Sequence, residues 1–141
     1  MPKFQGGLDG IIKALQLMTN SERERIITDL AKKDPRMADL IESHLFSIKD
    51  LEFITDKMLV EFLQAIDLRD LGLAFKLQDE EFVSEFYQRV PKRMAQEIED
   101  FKTSSKIPKR DAEASEQKVL KVFRSMIDEG KLVISHDNDY V

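Results

Sequence analysis

The side chains best suited to chemistry are charged residues on a helix that the sequence predicts to follow Pro91. Arg93, Glu97 and Asp100 are spaced i, i+4 and i+7, so they would form one charged ridge along that helix. Exposed ion pairs contribute only ~0–1 kcal/mol each to stability, so such a ridge is better suited to steering and orienting a charged partner. The alternative, a merely solvated face, stays open at this point because most charge runs are solvated.

The sequence supports a catalytic site less well than it supports the charged ridge, because the candidate catalytic groups are scattered along the chain. The acidic runs at 79–81 and 97–100 would need to converge in a pocket to act as acid and base, and capping and dipole compensation explain acids at helix starts. His44 and His136 lie far apart in the sequence, and a lone histidine beside an apolar helix end is more often structural. No zinc-protease, calcium-loop, phosphate-loop or serine-hydrolase motif occurs. We therefore predict a protein that is not an enzyme, with no metal site and no cofactor.

The composition narrows the class of protein further. The 141 residues carry a net charge of −5, which argues against a nucleic-acid partner. The absence of cysteine excludes disulfides and thiolate metal sites and fits a reducing compartment. No apolar run approaches the roughly 18 residues that a membrane span needs, and the N-terminus lacks a signal-peptide core. We expect a soluble cytoplasmic protein without direct membrane insertion, which can still lie against a membrane complex through its partners.

The first 45 residues predict three short amphipathic helices. Gly6 and Gly7 predict a flexible joint, Asn20 or Ser21 predicts the cap of a second helix, and Asp34-Pro35 predicts the start of a third. In the first helix, one apolar face is formed by Leu8, Ile11, Ile12, Leu15 and Met18. In the next two helices, the apolar positions expected to be buried are Ile26, Ile27 and Leu30, then Met37, Leu40, Ile41 and Leu45. Such a unit would leave an apolar face that needs a neighbour.

Residues 46–54 interrupt this pattern and predict a turn followed by a short helix near 49–54. Residues 55–141 then predict a second helical domain, with caps at Thr55, Asp67 and Asp79, a loop at 103–106 and a long helix at about 111–129 that Gly130 ends. Strand content is expected to be close to nil. The predicted fold class is all-α.

The order of these features resembles that of the C-terminal half of the FliG family of flagellar motor switch proteins, over nearly the whole chain. The segments that carry the resemblance are Gly6-Gly7, Asp34-Pro35 with Ala38–Ile41, Leu45-Phe46-Ser47-Ile48 with Lys49–Leu51, Ile66-Asp67 with Leu71 and Leu73–Lys76, Lys92–Ala95, and Glu116–Lys118 with Arg124, Gly130 and Val133-Ile134. The resemblance implies an armadillo-like, right-handed superhelical bundle in two small subdomains joined by a hinge.

The resemblance also implies a role for particular charges. Lys76, Arg93 and Asp100 match family positions that face the stator protein MotA, and Arg110 is a plausible match for the last basic position. Phe101 holds the place of a second acid, unless a shift of one residue makes Glu99 and Asp100 the acidic pair. By resemblance, the chain would transmit torque from the stator through charged contacts and needs no catalytic group.

The remaining implications concern partners and movement. Gly6-Gly7 corresponds to the family's linker, and Leu45–Ile48 corresponds to its hinge, with Leu45 and Ile48 replacing Met and Phe. The chain would bind the rotor protein FliM and neighbouring rotor subunits at the inner-membrane side of the flagellar basal body. These 141 residues show no counterpart of the family's ring-anchoring and middle domains, and whether they are a natural short protein or a piece stays open. The alternative is a stand-alone helical adaptor that kept the fold but binds other partners.

Overall fold

The computed structural model describes residues 2–135, apart from the side chains of residues 2–7, Asp9, Asn20 and Ser43. Its helices are α1 (Pro2–Gln16), α2 (Asn20–Lys33), α3 (Pro35–His44), a 3-10 helix (Ile48–Phe53), α4 (Asp56–Ala65), α5 (Leu68–Phe75), α6 (Glu80–Tyr87), α7 (Lys92–Lys102) and α8 (Lys109–Asp128). No strand occurs within residues 2–135, so the all-α fold class is confirmed. In the same range, no helix combines the length and the apolar character that crossing a membrane requires. His136 and the rest of the C-terminal end lie outside the described residues.

The chain divides into two compact units, unit 1 (Met1–Phe46) and unit 2 (Ser47–Val141). In unit 1, α3 packs against both α1 and α2. The cap of α2 is Thr19 rather than the predicted Asn20 or Ser21: its hydroxyl accepts from the Glu22 N–H at 3.3 Å, and its own N–H donates to Glu22 Oε1 at 3.1 Å. This reciprocal pair needs a Glu three residues after the cap, which selects Thr19. The bond from the Thr19 N–H lowers the pKa of Glu22, with a smaller effect of the Thr19 hydroxyl.

The core of unit 1 is smaller than predicted. Among the described side chains, its buried apolar residues are Ile12, Leu15, Ala38 and Ile41. The expected burial of three other apolar residues is wrong, since Ile26, Met37 and Leu40 are between 37% and 41% exposed. Three short helices enclose one narrow interior, so the wider apolar stripes extend beyond it.

Two other expectations for unit 1 are corrected. Gly6 and Gly7 lie within α1 and not in an open joint, although each glycine costs a helix about 1 kcal/mol relative to alanine. Arg23, which its charge alone would place in water, is only 6% exposed, and its guanidinium lies 3.5 Å from the carbonyl oxygen of Leu15 near the end of α1. A cation suits that position because helix C-termini carry partial negative charge.

Unit 2 is built around α5, which packs against both α7 and α8. Every residue from Leu71 to Phe75 is buried, so α5 is enclosed on all sides. Its Gly72 permits a close approach of α7: a Cβ on Gly72 would lie 2.5 Å from Phe101 Cβ and 2.6 Å from the Ile98 carbonyl oxygen. At the C-terminal end of α5, the Phe75 ring packs edge-on against the rings of Phe82 and Phe86 in α6, with centroid distances of 5.8 and 4.9 Å.

The helix ends of unit 2 follow local signals. The predicted caps Thr55, Asp67 and Asp79 are confirmed, because each side chain accepts a main-chain N–H of the first turn. Gly130 also ends α8 as predicted, with a φ of 77° that favours glycine. The start of α8 is two residues earlier than predicted, at Lys109, directly after Pro108 at the cap position.

Arg89 makes a contact that the sequence did not predict. Its guanidinium donates to the carbonyl oxygens of Leu51 and Ile54 and, through Nε at 2.8 Å, to Asp56 Oδ1. One side chain after α6 thereby ties down the end of the 3-10 helix and the start of α4.

Candidate functional site

The candidate site is the outer side of α7. Its inner side is set by Met94, Ile98 and Phe101, which are spaced i, i+4 and i+7 and are buried or partly buried. The same spacing, displaced by one residue, carries Arg93, Glu97 and Asp100, and the structure leaves all three exposed. We call these three residues the charged ridge. The helix has one apolar and one charged side, so packing α7 on α5 forces the ridge outward.

The charges of the ridge are available to a partner. The side chains of Arg93 and Glu97 make no hydrogen bond or ion pair with any other described residue. The Asp100 carboxylate accepts one hydrogen bond, from Gln96 Nε2 at 2.9 Å in the preceding turn, and its second oxygen has no partner among the described residues. An ammonium or guanidinium group on another protein could therefore approach Asp100, and a carboxylate could approach Arg93.

Glu99 faces a different side of α7 from Asp100. It is partly buried and accepts a hydrogen bond from the Tyr87 hydroxyl at 2.8 Å. Burial, and then this bond to Glu99, raise the pKa of Tyr87, so its hydroxyl keeps its proton and remains the donor. Both residues line an open cleft of about 480 Å³ between α6 and α7. Glu99 and Asp100 are therefore adjacent in sequence, but their side chains lie on different sides of α7 and have different partners.

Lys76 does not join the charged ridge. Its ammonium group donates to the carbonyl oxygens of Lys102 at 2.8 Å, Ser104 at 2.9 Å and Ser105 at 3.4 Å, where α7 ends. The acceptors lie 26 to 29 residues further along the chain, so no local spacing in the sequence could have revealed them.

The last two positions that the resemblance singled out differ in accessibility. Arg110 is exposed in the first turn of α8 and makes no ion pair within residues 2–135. Phe101 is partly buried, and its Cβ lies where a side chain on Gly72 would have to be. Phe101 therefore belongs to the packing between α5 and α7.

The hinge segment, Leu45–Ile48, is held at both ends. On one side, the main chain of Phe46 pairs with the side-chain amide of Gln16, which donates to its carbonyl at 3.1 Å and accepts from its N–H at 3.0 Å. On the other side, the Ser47 N–H donates to Asp50 Oδ2 at 2.8 Å. Leu45 and Phe46 are partly buried, Ser47 is exposed and Ile48 is buried. Gln16 is only 3% exposed, and a glutamine among apolar residues gave no sign of this contact in the sequence.

The described residues offer no metal centre, since no group of three or more His, Cys, Asp or Glu side chains lies close enough to hold an ion. His44 is exposed, and its Nδ1 lies 2.9 Å from the carbonyl oxygen of Leu40 in its own helix. This contact lies within the last turn of α3, so it indicates a structural role for His44.

Comparisons with known proteins agree on one family. The sequence model of the FliG C-terminal domain matches residues 28–134. Among curated relatives, the flagellar motor switch protein FliG of Borreliella burgdorferi is 26% identical over 135 residues, covering 95% of this chain and 39% of the relative. The FliG of Aquifex aeolicus is 28% identical over 131 residues, covering 90% and 40%. The chain thus spans about two fifths of the length of these relatives.

Solved structures show the same fold. A crystal structure of FliG residues 86–343 from H. pylori superposes with a TM-score of 0.64, at 18% identity, covering 89% of this chain and 59% of that one. Full-length FliG from Aquifex aeolicus superposes with a TM-score of 0.55, at 26% identity, covering 88% and 39%.

Proposed function

The chain belongs to the FliG C-terminal domain family, and from this premise we propose that it is a rotor component of the flagellar motor switch that receives torque from the stator. The observation that carries the proposal is the charged ridge, exposed on a helix whose other side is packed into unit 2. The family is that of a motor switch protein and not of an enzyme. The chain's task in this proposal is to bind and to transmit force.

The ridge suits a partner with two opposite charges. Arg93 and Asp100 lie seven residues apart on α7, which corresponds to about 10 Å along the helix axis at 1.5 Å per residue. Opposite charges at that separation fix the direction in which a partner helix can lie, because the reversed orientation brings like charges together. We assign this surface to the cytoplasmic loop of the stator protein MotA, with Arg110 as a further exposed cation.

We propose that the switch of rotation direction uses the hinge segment. The contacts of Gln16 with Phe46 and of Asp50 with Ser47 support this, since they restrain the residues on each side of one peptide bond. Movement would then concentrate in the two main-chain torsions that flank the bond between Phe46 and Ser47. A hinge this narrow gives discrete positions and not a continuous bend.

Unit 1 would supply contacts within the rotor. Its exposed apolar side chains are Ile11, Leu17, Ile26, Met37 and Leu40. Exposed apolar patches often mark protein–protein interfaces, so we assign these residues to an interface with FliM or with a neighbouring rotor subunit. By these contacts the chain would lie at the cytoplasmic side of the inner membrane, in the switch ring of the basal body.

Two observations favour the alternative, which is a helical adaptor that kept the fold but has no role in the flagellar motor. Phe101 occupies an expected acidic position and is packed against α5, and the ammonium group of half-buried Lys76 is engaged by main-chain carbonyls of its own chain. Only part of the expected charge pattern is therefore presented on the surface. An adaptor of this kind would bind neither the MotA loop nor FliM.

The variant Arg93→Asp tests the proposal. We expect the purified chain to bind a peptide of the MotA cytoplasmic loop, and the substitution to weaken binding at least tenfold at low salt, with a smaller difference at high salt because added ions screen surface charges. Titration calorimetry measures the affinity, and circular dichroism checks that the helices persist.

The matched control is Arg36→Asp, which makes the same charge change at an exposed position of unit 1. Equal affinity of wild type and Arg93→Asp, or equal loss in both variants, would refute the assignment of the ridge. If the wild-type chain binds neither the MotA loop nor FliM, the adaptor is the better description. Swimming restored by the chain in cells that lack the C-terminal half of their own switch protein would support the rotor assignment in vivo.

A further inference from the structure

We propose that Lys76 is a positioning residue that fixes the C-terminal end of α7 and acts on the partner only through the charged ridge. Its effect on torque rests on the function proposed above, but the anchoring itself does not. The proposal reverses the expectation that the charge of Lys76 faces the stator.

The contacts of Lys76 match what a helix end offers. An ammonium group has three donor hydrogens, and three carbonyl oxygens lie within reach of Lys76 Nζ at 2.8, 2.9 and 3.4 Å. The Lys102 carbonyl belongs to the last turn of α7, where carbonyls lack partners within the helix and carry partial negative charge, and Ser104 and Ser105 lie in the loop that follows. Lys76 begins the turn after α5, so it ties α7 directly to the central helix of unit 2.

Other groups tie down the same end of α7. The Thr103 hydroxyl donates to the Glu99 carbonyl at 2.9 Å, and the Ser104 hydroxyl donates to that of Phe101. Lys102 Nζ lies 2.7 Å from Glu80 Oε1 on α6. Gly72 completes the arrangement, because its missing side chain lets the two backbones touch.

The beginning of α7 is held differently. Lys92 and Arg93 are exposed, and among the described residues neither side chain has a hydrogen-bonding or ionic partner. A sideways force on the ridge would therefore pass into unit 2 mainly at the C-terminal end of α7, where Lys76 lies. Loss of the ammonium group should loosen that end while Arg93, Glu97 and Asp100 stay exposed.

The first test needs no partner. In Lys76→Met we expect amide hydrogen exchange at Thr103 and Ser104, whose N–H groups bond to carbonyls in the last turn, to become at least tenfold faster. Lys76→Arg, which keeps a cation and donors, should restore most of the protection. Arg93→Ala and Lys118→Met, which remove exposed charges from α7 and α8, should leave it unchanged. Unchanged exchange in Lys76→Met would refute the anchor.

The second test separates anchoring from direct contact. If a partner recognises a residue by its charge, reversing that charge abolishes binding, and reversing the opposing charge on the partner restores it. Binding is not restored in this way when the residue is an anchor. We expect no reversed charge in the MotA loop peptide to restore binding to Lys76→Glu, and rescue would overturn the positioning role. If exchange responds to Lys76→Met but the wild-type chain binds no MotA loop, the anchor stands and the proposed function fails.

Discussion

The two units of this protein differ in how many large apolar side chains they expose. Of the large apolar side chains that are exposed among the described residues, five lie in unit 1 (Ile11, Leu17, Ile26, Met37 and Leu40) and one, Val133, lies in unit 2. Unit 2 has its candidate partner charges on the ridge of α7 and at Arg110. This difference fits the proposed roles, in which another protein covers the apolar surface of unit 1 and a partner meets the exposed charges of unit 2.

The cause lies in the arrangement of helices. In unit 2, α5 is enclosed by α7 and α8, so apolar residues on all sides of one helix find a neighbour. Unit 1 has no such helix among its described side chains: α3 packs against both α1 and α2, yet only its Ala38 and Ile41 are buried. The other sides of α3 stay open, and part of the apolar surface of unit 1 stays in contact with water.

Two glycines provide the sharpest test of this comparison. Gly72→Ala in unit 2 places a Cβ 2.5 Å from Phe101 Cβ and 2.6 Å from a main-chain oxygen, and neither can move aside by a change of rotamer. Overpacking of this kind costs ~1–3 kcal/mol. We expect a net loss of up to about 2 kcal/mol, because the better helix propensity of alanine offsets about 1 kcal/mol of the overpacking cost. Urea unfolding followed by residue-resolved amide exchange measures the change for each unit.

Gly10→Ala in unit 1 is the matched control, since nothing lies within 4 Å of a Cβ at that helical position. It should raise the stability of unit 1 by about 0.5–1 kcal/mol, because alanine loses less chain entropy than glycine on folding. If both substitutions stabilise, α5 and α7 are not in the close contact described here.

An intermediate effect is expected from Gln16→Leu. Leucine keeps much of the buried volume but cannot pair with the Phe46 main chain, and a lost partner for a partly buried group costs about 1–2 kcal/mol. The Phe46 amide should exchange at least fivefold faster, which NMR-detected exchange measures. Gln64→Leu, at an exposed position of α4, should change neither quantity. An unaltered Phe46 amide in Gln16→Leu would remove the support for a hinge confined to one peptide bond.

The smallest effect on stability is expected from Leu17→Gln, since Leu17 is 61% exposed. Surface substitutions of this kind change the free energy of unfolding by less than about 0.5 kcal/mol. We nevertheless expect at least a fivefold loss of affinity for FliM or for a neighbouring rotor subunit, measured by titration calorimetry. Val133→Gln, a comparable change on unit 2, should leave that affinity intact. Equal affinity in both variants would contradict the assignment of unit 1 as the rotor-binding unit.

Much of the fold could be predicted because helix signals are local. Asp34, Thr55, Asp67 and Asp79 cap helices as predicted, since a side-chain oxygen and the N–H groups it accepts lie within three residues of each other. The spacing of Arg93, Glu97 and Asp100 likewise predicted a common exposed side. Predictions of burial in unit 1 were less accurate, because an apolar stripe shows which side of a helix is apolar and not whether a neighbour covers it.

The sequence by itself determined the helices, their caps and the charged ridge, because each depends on residues within about two turns of one another. Only the tertiary structure decided what the ammonium of Lys76 binds, since its first acceptor lies 26 residues away. The same holds for Gln16, whose partner Phe46 lies 30 residues away. A charge or an amide can bond to any polar group that the fold brings near. Its type therefore shows that it needs a partner, and only the packing of α5 on α7, or of α1 near the end of α3, shows which one.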